Sequence, residues 1–214
     1  MKNIVKLVAL LPLLAAPALA GSNATDWGKG AGDAAFSAML KNSFHDKGIA
    51  TLSRLKQDAT QAFCSDPARA TGASKAAVAA RAKIEAENLA TIKWPTDGKW
   101  LGDWKAGEKI AQSGRGMTSS DKAGEANGGN CYNCHQISKA EIAYGTIGPS
   151  LHNYGKTRGN SEETMRYTWG KIYNAKAYNA CSNMPRAGHM GILTEAQIRD
   201  LMALLLDPAS PVNQ

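Results

Sequence analysis

The chain has 214 residues, four cysteines and a formal charge of +7, from 25 Lys and Arg against 18 Asp and Glu. The basic residues are scattered, with no Lys/Arg block and no interleaved aromatics, so nucleic-acid binding finds no support. A charge of this size suits a solvated surface, or an acidic partner or anionic substrate whose encounter the field would speed.

Residues 1–20 read as a secretory leader. Lys2 and Lys6 give a positive start, Leu7 to Ala16 is almost wholly apolar with Pro12 inside, and Ala18-Leu19-Ala20 matches a small-residue cleavage site. Cleavage is expected after Ala20. The apolar run is too short to cross a bilayer comfortably, and no other stretch could span one. A periplasmic protein with no membrane span after cleavage is expected, and export permits disulfides.

Residues 21–98 are expected to form a helical N-terminal extension. Ile49, Leu52, Leu55, Ala59 and Phe63 recur at helical spacing on one face. Ser74 is a candidate N-cap for a second helix running through Ala90, and Pro95 helps stop it. Ala76, Ala79, Ala80 and Ala86 favour a helix but supply little core volume. The extension is therefore expected to pack against another body.

Residues 99–214 read as a compact all-α domain. A helix is expected from Asp103 through Ala111, broken by Gly114 and Gly116, and residues 124–130 form a loop ending in Gly128-Gly129-Asn130. Residues 161–178 read as one or two helices. The last helix is the best defined: Thr194 with Gln197 makes a capping box, Ile198, Leu201, Met202 and Leu205 form an apolar stripe, and Pro208 ends it. No convincing strand and no internal repeat are present.

The chemistry lies at Cys131-Tyr132-Asn133-Cys134-His135, the C-x-x-C-H signature of covalent c-type haem attachment. Two thiols at this spacing can form thioethers to the two vinyl groups of one porphyrin, and the adjacent histidine falls under the iron. Zinc would need two further ligands at suitable spacing, and no second C-x-x-C or H-x-x-x-H exists. A thioredoxin-like dithiol would want a βαβ context. One covalently bound haem c is the expected cofactor.

His135 supplies one axial ligand, and the second must come from elsewhere or the site is open. Met184 precedes Pro185, which restricts its backbone to extended conformations, and Ala180, Ser182, Ala187 and Gly188 would let the backbone approach the haem. His189 and Met190 compete with it. Met117, Met165 and Met202 read as ordinary core or surface residues. His45 lies in the extension, and His152 follows a Gly-Pro loop. A thioether favours Fe(II) and raises the potential relative to bis-histidine ligation. A six-coordinate iron has no vacant position for substrate, which favours a relay and disfavours peroxidase-like turnover. Arg186 reads as a plain surface charge rather than a propionate contact or an anion-steering group. The haem consumes Cys131 and Cys134, and the remaining Cys64 and Cys181 are expected to form one disulfide, the alternative being two separate buried or reactive thiols. Closing so long a loop would stabilise by about 3–5 kcal/mol in the chain-entropy model.

These residues resemble class I cytochrome c: a helix before C-x-x-C-H, the loop Ile147-Gly148-Pro149-Ser150-Leu151, a Met-Pro segment and a C-terminal helix. The resemblance implies that the Pro149 carbonyl accepts the proton on the far nitrogen of His135. Towards the C-terminus the chain is similar to the SoxX family, the monohaem subunits of the SoxXA cytochromes of sulfur-oxidising bacteria. The similar segments are Gly128-Gly129-Asn130-Cys131, Lys171-Ile172-Tyr173-Asn174-Ala175, Cys181-Ser182-Asn183-Met184-Pro185-Arg186, Gly191-Ile192-Leu193-Thr194, Leu205-Leu206-Asp207-Pro208 and Ser210-Pro211-Val212-Asn213. The extension is similar to that of the longer variety of this family.

The resemblance implies a heterodimer with a SoxA-like haem subunit, a carrier protein of the SoxYZ type and a soluble acceptor cytochrome. The complex would act as an L-cysteine S-thiosulfotransferase, conjugating thiosulfate oxidatively to a carrier cysteine. The catalytic cysteine-ligated haem would sit on the partner, so no catalytic residue is expected here. The alternative is a free-standing periplasmic electron carrier with no enzymatic partner.

Overall fold

The computed structural model describes residues 34–214, so the leader expected over residues 1–20 lies outside the described residues. Chain order is α1 (Ala34–Ser43), α2 (Ala59–Cys64), α3 (Pro67–Thr71), α4 (Lys75–Ala90), α5 (Trp104–Gln112), α6 (Tyr154–Arg158), α7 (Glu162–Tyr173) and α8 (Glu195–Leu206). Short 3-10 turns stand at Leu52–Leu55, Cys131–Asn133, Ala175–Ala177 and Pro211–Asn213. Among the described residues the only extended pairing is an isolated bridge between Lys47 and Ala50. The fold is all-α, as expected.

The helix expected to carry Ile49 through Phe63 is not continuous. Leu52 to Leu55 form a single 3-10 turn, and Lys56 then turns extended at φ −76° and ψ 123°. Asp58 restarts the chain as an N-cap: its side chain accepts from the Gln61 amide at 2.8 Å while the Gln61 side chain accepts from the Asp58 amide at 2.9 Å. This reciprocal capping satisfies two donors that a helix passing through residue 58 would not expose. Leu52 and Leu55 stay exposed, and Phe63 is buried.

Elsewhere the caps fall where their chemistry places them. The Ser74 side chain accepts from Ala77 N and opens α4. Asp103 opens α5 through Lys105 N. Thr194 and Gln197 form the capping box of α8. The α8 stripe is core: Ile198 and Met202 are fully buried, with Leu201 and Leu205 nearly so.

α5 crosses α8 at a glycine. A Cβ on Gly107 would lie 2.1 Å from the Asp200 carbonyl oxygen and 3.0 Å from Leu204 Cβ, so only hydrogen lets the two backbones approach this closely. Asp200 Oδ1 accepts from Asp103 N at 2.8 Å and fixes the start of α5 over α8. Trp169 on α7 is fully buried, meets Trp100 edge-on at 5.9 Å, and donates through Nε1 to the Lys93 carbonyl at 2.9 Å. The C-terminal tail closes α8, whose Leu205 carbonyl accepts from Asn213 Nδ2 at 3.1 Å.

The extension lies against the segment that follows α7. Asn174 is buried, and its Nδ2 donates to Asn88 Oδ1 and Thr91 Oγ1, both at 3.0 Å. Cys64 and Cys181 form a disulfide with Cα atoms 5.4 Å apart.

Candidate haem site

The Cys131–His135 segment is held between α5 and the Gly-Pro loop. Gly129 N donates to Ile110 O at 2.8 Å and Asn130 N to Ser113 O at 2.9 Å, which ties its entry to the end of α5. Asn130 itself turns through the left-handed region at φ 50°, a conformation asparagine tolerates. Cys134 N and His135 N both donate to Cys131 O, forming the tight turn that brings the two cysteines and the histidine to one locality. On the far side Gly145 N donates to Tyr132 O at 2.7 Å, Gly148 N to Cys134 O at 2.8 Å, and Leu151 N to Gln136 O at 2.7 Å.

His135 Nδ1 lies 2.7 Å from the Pro149 carbonyl oxygen. A carbonyl only accepts, so the proton sits on Nδ1 and the Nε2 lone pair is left for a metal. Gly148 stacks on the same ring: a Cβ there would stand 2.2 Å from His135 Cε1 and 2.7 Å from Nε2. The Pro149 bond and the Gly148 contact together set the ring's orientation.

Cys131 and Cys134 take no part in a disulfide, whereas Cys64 and Cys181 are joined. Tyr132 donates to Glu108 Oε1 at 2.9 Å and accepts from Ser138 N at 3.1 Å. Glu108 Oε2 is buried without a hydrogen-bond partner among the described residues. Burial raises the Glu108 carboxyl, Tyr132 works against that rise, and Glu141 adds to it.

Met184 and Cys131 both pack against the same apolar core. Met190 is 54% exposed, and His189 is exposed too. Met202 is buried in α8, Met165 packs on the core, and Met117 takes φ 63° in a surface turn where its carbonyl accepts from Arg54. Both ring nitrogens of His152 are buried and unpartnered among the described residues. Gly188, expected to admit a haem, packs instead on the Tyr173 ring, where a Cβ would meet Cδ2 at 2.4 Å.

Arg186 is not the plain surface charge expected. It is 7% exposed, and its guanidinium donates to Asp58 Oδ2 in a short ion pair. Burial alone would raise the Asp58 carboxyl, but the Gln61 amide, Arg186 and Lys176 outweigh it and hold the carboxyl below its usual range. Lys176, also buried, donates from Nζ to the carbonyls of Ala180 and Ser182, both at 3.3 Å. Sequence reasoning missed Asp58, Glu85, Asn88, Asn174 and Lys176. The one local signal was the Asp-x-x-Gln capping pattern at residues 58–61.

The residues fit haem c. Two unbridged cysteines with two residues between them, one imidazole with its outer nitrogen engaged, and a glycine cradle for the ring are the donor set that covalent haem needs. Ile147, next to Gly148, keeps 77% of its surface open, and apolar surface at this place suits an apolar macrocycle. Among the described residues no group of three or more His, Cys, Asp or Glu side chains could hold a bare metal ion. No helix among them is long and apolar enough to cross a membrane.

Comparison with known proteins agrees. The family model described as cytochrome c matches residues 115–207. A protein of Aquifex aeolicus (strain VF5), described as an uncharacterized lipoprotein, is 38% identical over 159 residues, which cover 74% of this chain and 73% of that protein. With C-x-x-C-H, the oriented imidazole and α5 packed on α8, residues 115–207 form a cytochrome c domain, the chain is a relative of the Aquifex protein, and its fold is that of a class I c-type cytochrome.

Proposed function

We propose that the chain is an exported, monohaem electron-transfer cytochrome c whose iron His135 and Met184 would hold, and that it serves as the electron-accepting subunit of a SoxXA-like thiosulfate-conjugating enzyme. The observation that carries the electron-transfer reading is the Pro149–His135 bond, which leaves one ring nitrogen free and fixes its direction. Bound haem c supplies one-electron chemistry. The chain's own residues do the rest. Cys131 and Cys134 would anchor the group, Pro149 holds the proton on His135 Nδ1, Gly148 seats the imidazole, and Met184 would supply a second, thioether ligand.

The enzymatic reading rests on the C-terminal similarity to SoxX and on the extension, which is bonded to the Met184 segment. In such an enzyme two electrons leave as the sulfur–sulfur bond forms between thiosulfate and a carrier cysteine. The reacting site lies on the partner, and this chain receives electrons and passes them to a soluble cytochrome. Export follows from the leader pattern, and the Aquifex relative's description as a lipoprotein is consistent with it.

Affinity capture of this chain from the periplasm of thiosulfate-grown cells tests the subunit reading. A larger haem-bearing partner should be recovered in equal amount, and deletion of the chain should stop thiosulfate oxidation. A monomer whose deletion leaves thiosulfate oxidation intact would make this a free-standing carrier.

A further inference from the structure

We propose that the N-terminal extension is a clamp on the axial-ligand segment, with Asp58 and Arg186 as positioning residues and the Cys64–Cys181 bond as the second jaw. The inference rests on the reading of Met184 as an iron ligand. Its basis is a juxtaposition: the extension grips the chain on both sides of Met184. Cys181, before it, is bonded to Cys64 at the end of α2, and Arg186, after it, is paired with Asp58 at the start of α2. One short helix therefore touches both flanks. Glu85 of α4 adds a third tie by accepting from Ala180 N at 3.0 Å.

The charges explain why the grip is firm. The Arg186 side chain is 6% exposed, and the buried cation nearest in this cluster, Lys176, cannot compensate it. Asp58 is its ion-pair partner among the described residues. A buried guanidinium deprived of its carboxylate must either stay uncompensated or move to water. Movement of Arg186 to water would carry Pro185 and Met184 with it. Asp58 also splits its tasks by atom: Oδ1 caps α2 through Gln61 N, and Oδ2 takes Arg186. Asp58→Asn keeps the cap, because asparagine caps as well as aspartate, and places an amide against the guanidinium. It therefore separates the clamp from the stability of the helix.

An incoming ligand competes only for the fraction of molecules in which Met184 has left the iron, and its apparent affinity scales with that fraction. The test is imidazole titration of the ferric holoprotein, read by loss of the Fe(III)–sulfur charge-transfer band at the red edge of the spectrum. Asp58→Asn, and separately Cys64→Ser with Cys181→Ser, should bind imidazole about tenfold more tightly than the parent, and Asp58→Glu should restore most of the parent affinity. In an Arg186→Met background, Asp58→Asn should add nothing, because the two side chains act as one pair. Met184→Ala should lack the band before any imidazole is added.

Parent-like imidazole affinity in Asp58→Asn and in the cysteine double variant, with the band absent in Met184→Ala, would remove the clamp and leave the ligand assignment standing. An effect of Asp58→Asn that persists with Arg186→Met would act outside the Asp58–Arg186 pair and would overturn Asp58 as a jaw of the clamp. Retention of the band in Met184→Ala would remove the ligand assignment, and the clamp with it. If Asp58→Asn does not accumulate as holoprotein, the Arg186→Met and cysteine variants carry the same test.

Discussion

His135 has two ring nitrogens, and its neighbours give them different tasks. Pro149 takes the Nδ1 proton at 2.7 Å, and Gly148 presses on the ring face with no Cβ between. Both partners come from one short loop, so a change of one methyl group is felt at the ring. Gly148→Ala should force the imidazole aside and cost about 1–3 kcal/mol by overpacking. Denaturant unfolding measures the loss, and the ferric spectrum should show a fraction of protein no longer low-spin. An unchanged midpoint and spectrum would mean that the loop can retreat. Cys131, Cys134 and His135 stood out in the sequence because C-x-x-C-H is a local pattern, and Pro149 was placed by the resemblance to class I cytochrome c, whereas the Gly148 contact with the ring was not foreseen. Nor was the buried pairing of Arg186. Its partner lies 128 residues away, and no spacing rule links a charge in a Met-Pro segment to a helix cap in the extension.

Helices were legible where caps and period agreed. α4 after Ser74, α5 after Asp103 and α8 after Thr194 all begin at a side chain that accepts from the first-turn backbone. The apolar period alone misled at residues 49–63, where it bridges an extended break at Lys56 that ends in the Asp58–Gln61 capping box. Spacing reports a face, but only caps report where a helix begins. The α8 box makes a quantitative case. The Thr194 Oγ1 atom accepts from Gln197 N at 3.3 Å, and Gln197 Oε1 accepts from Thr194 N at 3.1 Å. Thr194→Ala removes the first and should lower stability by about 1 kcal/mol, read as a shift in the denaturant midpoint at constant slope. Gln197 also donates to the Asn127 carbonyl at 2.7 Å, just before the haem-binding turn, so Gln197→Ala should cost more than Thr194→Ala in the same assay.

At the scale of the molecule, one core gathers around α8 and takes in Ile92, and the helices before it are tied on by the Cys64–Cys181 disulfide, by the hydrogen bonds of Asn174 to Asn88 and Thr91, and by charge. Asp97, at the boundary, takes Arg199 of α8 in a paired hydrogen bond, both contacts at 2.9 Å. Chiefly through that bond, its carboxyl is held at about 2 against an ordinary 3.8. A carboxyl lowered on folding stabilises above its unfolded value and loses that contribution as pH falls through the folded one. The thermal midpoint of the parent should therefore exceed that of Asp97→Asn at neutral pH, and the gap should close as pH falls from 3.8 towards about 2. A gap independent of pH would assign the effect to something other than this ion pair. The electron-transfer role depends on a porphyrin joined to Cys131 and Cys134. The most direct measurement is the mass of the mature chain, unfolded, reduced and extracted with acidified acetone. The expected result is the polypeptide plus one haem, with the colour staying in the protein and lost when both cysteines are changed to alanine. A colourless chain of bare polypeptide mass with both thiols free to label, or a pigment that leaves with the solvent, would contradict it.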